Sequence, residues 1–159
     1  PGQVIWEGTN VSEGRGTSLP FELVGAPYWD IEPIESLLEG QKFEGCLLRP
    51  ALFEPTSGKW AGQSCRGFQL HVIDHDLFRP YRISLALYQA IFSLYPEEFR
   101  YKEPPYEYEF EKLPMDLILG DRMLREQIEA GVPILELEQQ WLAGVDQFLE
   151  QRTPYLLYD

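Results

Sequence analysis

The 159-residue chain holds only two cysteines, two histidines and two methionines, and these shortages remove several chemistries at once. Cys46 and Cys65 permit one disulfide without requiring it, and neither stands in a Cys-x-x-Cys pair, so a zinc-ribbon or disulfide-framed fold is excluded. No apolar run approaches the roughly twenty residues of a membrane span, and no charged-then-apolar leader opens the sequence. A chain that begins at Pro1 is expected to have lost a segment upstream. Cations are scarce as well, 13 against 26 acids, for a formal net charge of −13. That imbalance opposes binding of nucleic acid or an anionic membrane surface. It leaves room for a small anion, which one arginine in a water-poor cleft can hold through paired hydrogen bonds. A P-loop, a nucleophile elbow and a dinucleotide fingerprint are missing, because the glycines of Gly14-Arg-Gly16 lack the following helix such sites need. No cofactor is expected.

What is present suffices for a core. Hydrophobic residues make up 44% of the chain and aromatics 14%, while 13 prolines and 13 glycines divide it into short elements. No internal repeat or low-complexity linker appears. The pattern predicts one α+β domain over residues 1–159, a small mixed β-sheet covered by helices. Strand-type runs stand at Val4-Ile-Trp6, Phe21-Glu-Leu-Val24 and Phe68 to Ile73, with His71 opposite the apolar face of the last. Cys46-Leu-Leu48 and Ala51-Leu-Phe53 read as strand pieces interrupted at Pro50, which marks an edge or a bulge. Asp30 caps a helix with Ile34, Leu37 and Leu38 on one face, closed by Gly40. Pro80 opens the clearest helix, running to about Tyr95 with a stripe of Ile83, Leu87, Ala90, Ile91 and Leu94. Alternation from Pro104 to Phe110 predicts an extended segment with Tyr106, Tyr108 and Phe110 inward and Glu107 and Glu109 outward. Short helices follow near Met115 to Leu119 and Asp121 to Ala130. A last one, Ile134 to Gln151, aligns Leu137, Trp141, Val145 and Phe148.

The densest chemistry lies in Glu7-Gly-Thr-Asn-Val-Ser-Glu-Gly-Arg-Gly-Thr17. Carboxylates, an amide, hydroxyls and a guanidinium sit there between glycines that permit tight turns, so the segment is the candidate site and reads as a strand-to-strand loop. Glu7 and Glu13 also match the paired carboxylates of glycosidases, although solvated surface acids are the commoner origin of such pairs in an acidic chain. Aromatic neighbours of Glu107 and Glu109 offer another route to a raised carboxyl pKa. His71-x-x-Asp-His-x-Asp76 has metal-binding residue types, but a strand spreads residues four apart along its length. No metal is expected, and His71 is assigned instead to hydrogen bonding in a pocket. Asn10-Val-Ser12 matches a glycosylation acceptor, a frequent chance pattern.

Taken together, Glu7-Gly-Thr-Asn-x-Ser-Glu-Gly-Arg-Gly-Thr17, Pro20-Phe-Glu-x-x-Gly-Ala-Pro27, Leu70-His-Val-x-Asp74, Phe78-Arg-Pro80 and Pro105-Tyr-Glu-Tyr-Glu-Phe-Glu-Lys-Leu-Pro-Met-Asp116 resemble the C-terminal part of bacterial exo-β-N-acetylmuramidases. The likeness runs from near Val4 to Tyr158 in order. Cys46 and His75 depart from it.

The resemblance implies an upstream Rossmann-like domain, an active site in the cleft between the two domains, and release of N-acetylmuramic acid from the non-reducing ends of peptidoglycan fragments. The substrate would be a muropeptide or a muramic-acid disaccharide. An acid/base glutamate is expected upstream, so that this chain alone is inactive, and the location is expected to be periplasmic or extracellular. Arg15 is the candidate for the lactyl carboxylate, and Asn10, Ser12 and Thr17 for neutral groups of the sugar. His71 is the candidate for a sugar hydroxyl, with Glu7 and Tyr106 as further contacts. Glu13 is the catalytic candidate in this chain, orienting Arg15 or the attacking water. The competing readings are a peptidoglycan-binding module, with Trp60, Tyr106 and Tyr108 stacked on sugar rings, and a surface that only docks the neighbouring domain.

Overall fold

Helix α2, Pro80–Leu94, is the element around which the chain folds. Pro80 starts it without loss, since the first helical N–H has no intrahelical partner in any case. Ile83, Leu85, Leu87, Tyr88 and Ile91 are all fully buried, so apolar contacts surround the helix more widely than the expected single stripe. Each such side chain removed from water contributes roughly 1.5–3 kcal/mol. Leu94, expected in the stripe, is only half-buried at the C-terminal end.

In the computed structural model, which describes residues 2–158 except position 42, three antiparallel strands and five α-helices make one α+β domain. Strand β1 is Leu23–Ala26, β2 is Cys46–Phe53 and β3 is Cys65–Val72, arranged β1-β3-β2. The sheet is antiparallel throughout rather than mixed. Pro50 does not break β2, which runs unbroken past it. The strand lies at the sheet edge, where a missing N–H leaves no ladder bond unmade. Val24, Phe68 and Leu70 form the buried face, and Trp29 links Phe68 to Trp6, whose ring it meets edge-on at 6.2 Å. Cys46 pairs with Val72 and Cys65 with Phe53. The two thiols therefore sit at opposite ends of the hairpin and are free.

Three expectations give way. Val4-Ile-Trp6 is not a strand: Gly2–Gly8 forms a 3₁₀ helix, fixed by the Trp6 Nε1 bond to Gln3 Oε1 at 2.6 Å across one turn. The close approach of Gly2 to the Pro80 carbonyl holds it against α2. In α1, Ile31–Leu38, Ile34 and Leu38 are buried but Leu37 faces outward, and Asp30 makes no side-chain cap bond. Helices α3, Pro114–Leu119, and α4, Arg122–Glu129, follow the expected positions, with Asp121 capping α4 through the Met123 N–H. Helix α5, Ile134–Arg152, packs only by its first half. Leu137 is buried and Trp141 meets Tyr81 edge-on, but Val145 is exposed and Phe148 is 61% exposed. The helix outruns the body it packs against.

Candidate functional site

The Gly-rich segment is a loop between the first 3₁₀ helix and β1, clamped on two sides. On one side Ser12 and Gly25 exchange backbone hydrogen bonds of 2.9 and 3.1 Å, which attaches the loop to β1. Gly14 and Gly16 take positive φ values of 77° and 82°, and a Cβ on Gly16 would stand 2.3 Å from the Ser57 carbonyl oxygen. Only glycine fits both the angle and that contact. On the other side Asn10 donates to the Glu98 carbonyl at 2.8 Å and accepts from the Arg100 N–H and the Tyr28 hydroxyl.

A chain of alternating charges runs through this frame. Arg15 reaches Glu7 at 2.5 Å and Glu13 at 3.2 Å, and Lys59 reaches the second oxygen of Glu13 at 2.8 Å. Lys59 Nζ also donates to the carbonyls of Trp6 at 2.6 Å and Val11 at 3.0 Å. Its three donors are thus all engaged. Glu13, 4% exposed, has both oxygens held by cations, an arrangement suited to a fixed anion that orients its neighbours. Burial works to lower the pKa of Lys59, and the bond and charge of Glu13 offset this only in part.

Partial burial of Glu7 disfavours its charged form, but hydrogen bonds from Arg15 and Tyr106 together with the charges of Arg15 and Lys59 outweigh that, and the carboxyl is held below its ordinary range. The Tyr106 hydroxyl donates to Glu7 Oε2 at 3.2 Å, and its own pKa is raised by burial and by that carboxylate. Arg15 remains 57% exposed while also lying 5.0 Å over the Phe21 ring. Glu7, Arg15, Glu13 and Tyr106 are therefore brought together in one cluster.

The neutral residues are arranged differently. Asn10 uses its amide within the fold, as above. Ser12 is buried and its Oγ accepts from the Gly14 N–H at 3.2 Å, while Thr17 Oγ1 donates to the Gly14 carbonyl at 2.6 Å and accepts from the Leu19 N–H. These side chains shape the loop that carries Arg15. His71 stands apart on the outer face of β3, opposite Leu47, and its Nε2 is enclosed without a hydrogen-bond partner among the described residues. Among the described residues no cluster of three or more His, Cys, Asp or Glu converges as a metal site; the Asp74 carboxylate instead accepts the N–H groups of Asp76 and Leu77.

Lys59 is the site residue that sequence reasoning missed, and Trp60, expected only as a stacking surface in the binding-module reading, takes a different role. Both lie in the loop between β2 and β3, and Trp60 Nε1 donates to the Asn10 carbonyl at 2.6 Å, so Trp60 braces the site loop and is only partly exposed. The available signal was a lone lysine flanked by Gly58 and Gly62 in a strongly acidic chain.

The Pro104 to Phe110 segment is a turn rather than an extended strand. Tyr106 and Glu109 exchange backbone bonds of 2.9 and 3.0 Å around Glu107 at φ 53°. The Glu109 carboxylate turns onto the residues that follow it, accepting the N–H groups of Phe110, Glu111 and Lys112, and these bonds, from Glu111 foremost, lower its pKa. Tyr108 and Phe110 consequently face solvent, 92% and 72% exposed, so the expected alternation holds at Tyr106 and Glu107 and fails after them.

Comparison with known proteins places the geometry in a family context. The family described as "Exo-beta-N-acetylmuramidase NamZ, C-terminal" matches residues 1–158. The peptidoglycan beta-N-acetylmuramidase NamZ of Bacillus subtilis (strain 168) is 36% identical over 158 residues, which cover 99% of this chain and 36% of that relative. The chain thus spans about a third of the length of the curated relative it matches. Two crystal structures of DUF1343 family proteins from Bacteroides fragilis NCTC 9343 share the fold over the whole chain. Their TM-scores are 0.78 and 0.69 at 21% and 23% identity, and the chain covers 41% and 39% of them.

Proposed function

The chain belongs to the exo-β-N-acetylmuramidase NamZ C-terminal family, and from that premise we propose that it forms one wall of the saccharide cleft of a glycosidase that releases N-acetylmuramic acid from peptidoglycan fragments. The observation that carries this reading is Arg15, an accessible guanidinium on a glycine-fixed loop in a chain of net charge −13. Muramic acid differs from N-acetylglucosamine by a lactyl carboxylate. A planar cation fixed between Glu7 and Glu13 is the group that distinguishes them. Glu13 is enclosed and doubly paired, which supports a positioning role for it beneath Arg15; on this reading proton transfer falls to an upstream Rossmann-like domain. Cell-wall turnover outside the cytoplasm is the setting that such a substrate implies.

Release of 4-nitrophenol from 4-nitrophenyl β-N-acetylmuramide tests this. The chain joined to the upstream domain is expected to turn over the substrate, and the chain alone is not. Turnover by the chain alone would move the acid/base role to Glu7 or Glu13, and no turnover by the joined protein would remove the reading.

A further inference from the structure

Tyr106 belongs to two surfaces at once. Its hydroxyl closes the Glu7–Arg15 cluster, and its ring lines an adjoining open groove of about 640 Å³ with Val4, Tyr108, Leu117 and Ile118. That volume lies in the range of small-ligand clefts. The groove's outer lip is the Tyr106–Glu109 turn, whose backbone is fixed by its own cross-bonds and by the Glu109 carboxylate on three successive N–H groups. A stiff turn that displays a tyrosine at 92% exposure loses little conformational entropy when a ligand covers it. Lys102 lies 4.9 Å over the Tyr106 ring and Glu107 is exposed beside it, so the aromatic surface carries polar groups at its margin. A pyranose ring has the complementary form, with apolar C–H groups on its faces and hydroxyls around its rim.

We propose that this groove is an aglycone subsite, in which Tyr108 stacks on the sugar that follows muramic acid while Arg15 holds the lactyl group. The assignment rests on the muramidase reading above. Continuity through Tyr106 is what selects a saccharide over a protein as the occupant: the residue whose hydroxyl bonds Glu7 beside Arg15 also lines the groove, so one ligand can contact both. Phe110, 72% exposed on the same turn, widens the platform.

The test uses the full-length enzyme, the Tyr108→Ala and Tyr108→Phe variants, and two substrates that differ only beyond the scissile bond: methyl β-N-acetylmuramide and the disaccharide of muramic acid β-1,4-linked to N-acetylglucosamine. Tyr108→Ala is expected to raise KM for the disaccharide roughly fivefold to tenfold, the scale of one aromatic contact, to leave the methyl glycoside within about twofold by the same reasoning, and to be rescued by Tyr108→Phe. Equal losses on both substrates would overturn the subsite in favour of a surface that docks the neighbouring domain. No change on either would also overturn it, while leaving the muramidase reading intact. Failure of the unsubstituted enzyme to cleave either glycoside would overturn both.

Discussion

Lys59 Nζ lies 2.8 Å from Glu13 Oε2, which ties the loop between β2 and β3 to the loop that carries Arg15. Because the same ammonium also serves the Trp6 and Val11 carbonyls, it acts as the internal brace of the site. Lys59→Met would leave a buried carboxylate with one cation fewer and the Val11 carbonyl without its lysine donor, while the Trp6 carbonyl keeps the Thr9 N–H and hydroxyl. The expected loss is about 2–4 kcal/mol, at the lower end of values for broken buried pairs because Lys59 retains some solvent contact. Urea unfolding checks this. Adding Glu13→Gln to Lys59→Met should restore part of the loss, and a double variant no more stable than the single one would show that the ion pair is not its origin.

Gly16 and Gly58 offer a matched comparison in adjoining loops. Both have positive φ, 82° and 77°, but a Cβ at Gly58 meets nothing within 4 Å, whereas one at Gly16 collides with Ser57. Gly58→Ala should cost about 1–2 kcal/mol for the left-handed conformation alone. Gly16→Ala should cost about 2 kcal/mol more, since backbone must shift. Equal melting temperatures for the two variants would contradict the packing of these loops.

Acid should weaken the fold through Glu7 and Glu109. Both carboxyls are held below their ordinary value of 4.5, so as pH falls the unfolded chain takes up protons first. Their stabilisation is fully present above about 4.5 and is lost as pH drops through the folded-state values. Thermal melting from pH 6 to about pH 3 should show a fall that Glu7→Gln makes shallower. A Glu7→Gln profile parallel to the unsubstituted one would exclude its contribution.

Much of this was legible because local chemistry and tertiary packing agree. Pro80 at the start of α2, Pro50 on an edge strand and the glycine-enforced turns at Gly14 and Gly16 express backbone constraints that no neighbour can override. The failures have a common cause. Val4-Ile-Trp6 and Tyr106 to Phe110 have strand-like composition, but an i,i+3 bond between Trp6 and Gln3 and the bonding of the Glu109 carboxylate to the three N–H groups that follow it settle their conformations. Long-range side-chain bonds likewise directed Asn10 inward, towards residues about 90 positions away.

The cysteines give a prediction independent of the site. Cys46 and Cys65 terminate the β2–β3 ladder at opposite ends, too far apart for a disulfide without rearranging the sheet. Burial raises both thiols, Cys65 to about 11, and a thiolate is required for reaction. The native protein should react slowly with a thiol reagent at neutral pH, and both thiols should titrate once it is unfolded without reductant. Recovery of fewer than two would refute the pairing register.

Arg15 is the residue on which selectivity should turn. Its bonds to Glu7 and Glu13 fix the guanidinium plane, while more than half of the side chain remains open to solvent, so donors are available to an incoming carboxylate. In the full-length enzyme, Arg15→Ala should lower kcat/KM for the muramide by roughly tenfold to a hundredfold, as expected for loss of a charge-assisted contact. The matching N-acetylglucosaminide, which has no lactyl group, should respond little. Arg15→Lys should restore only part, because an ammonium keeps the charge but cannot span Glu7, Glu13 and a ligand carboxylate with a planar fork. If Arg15→Ala depressed both substrates equally, the guanidinium would be bracing the loop rather than reading the sugar, and the proposed role of this chain in selecting muramic acid would fall.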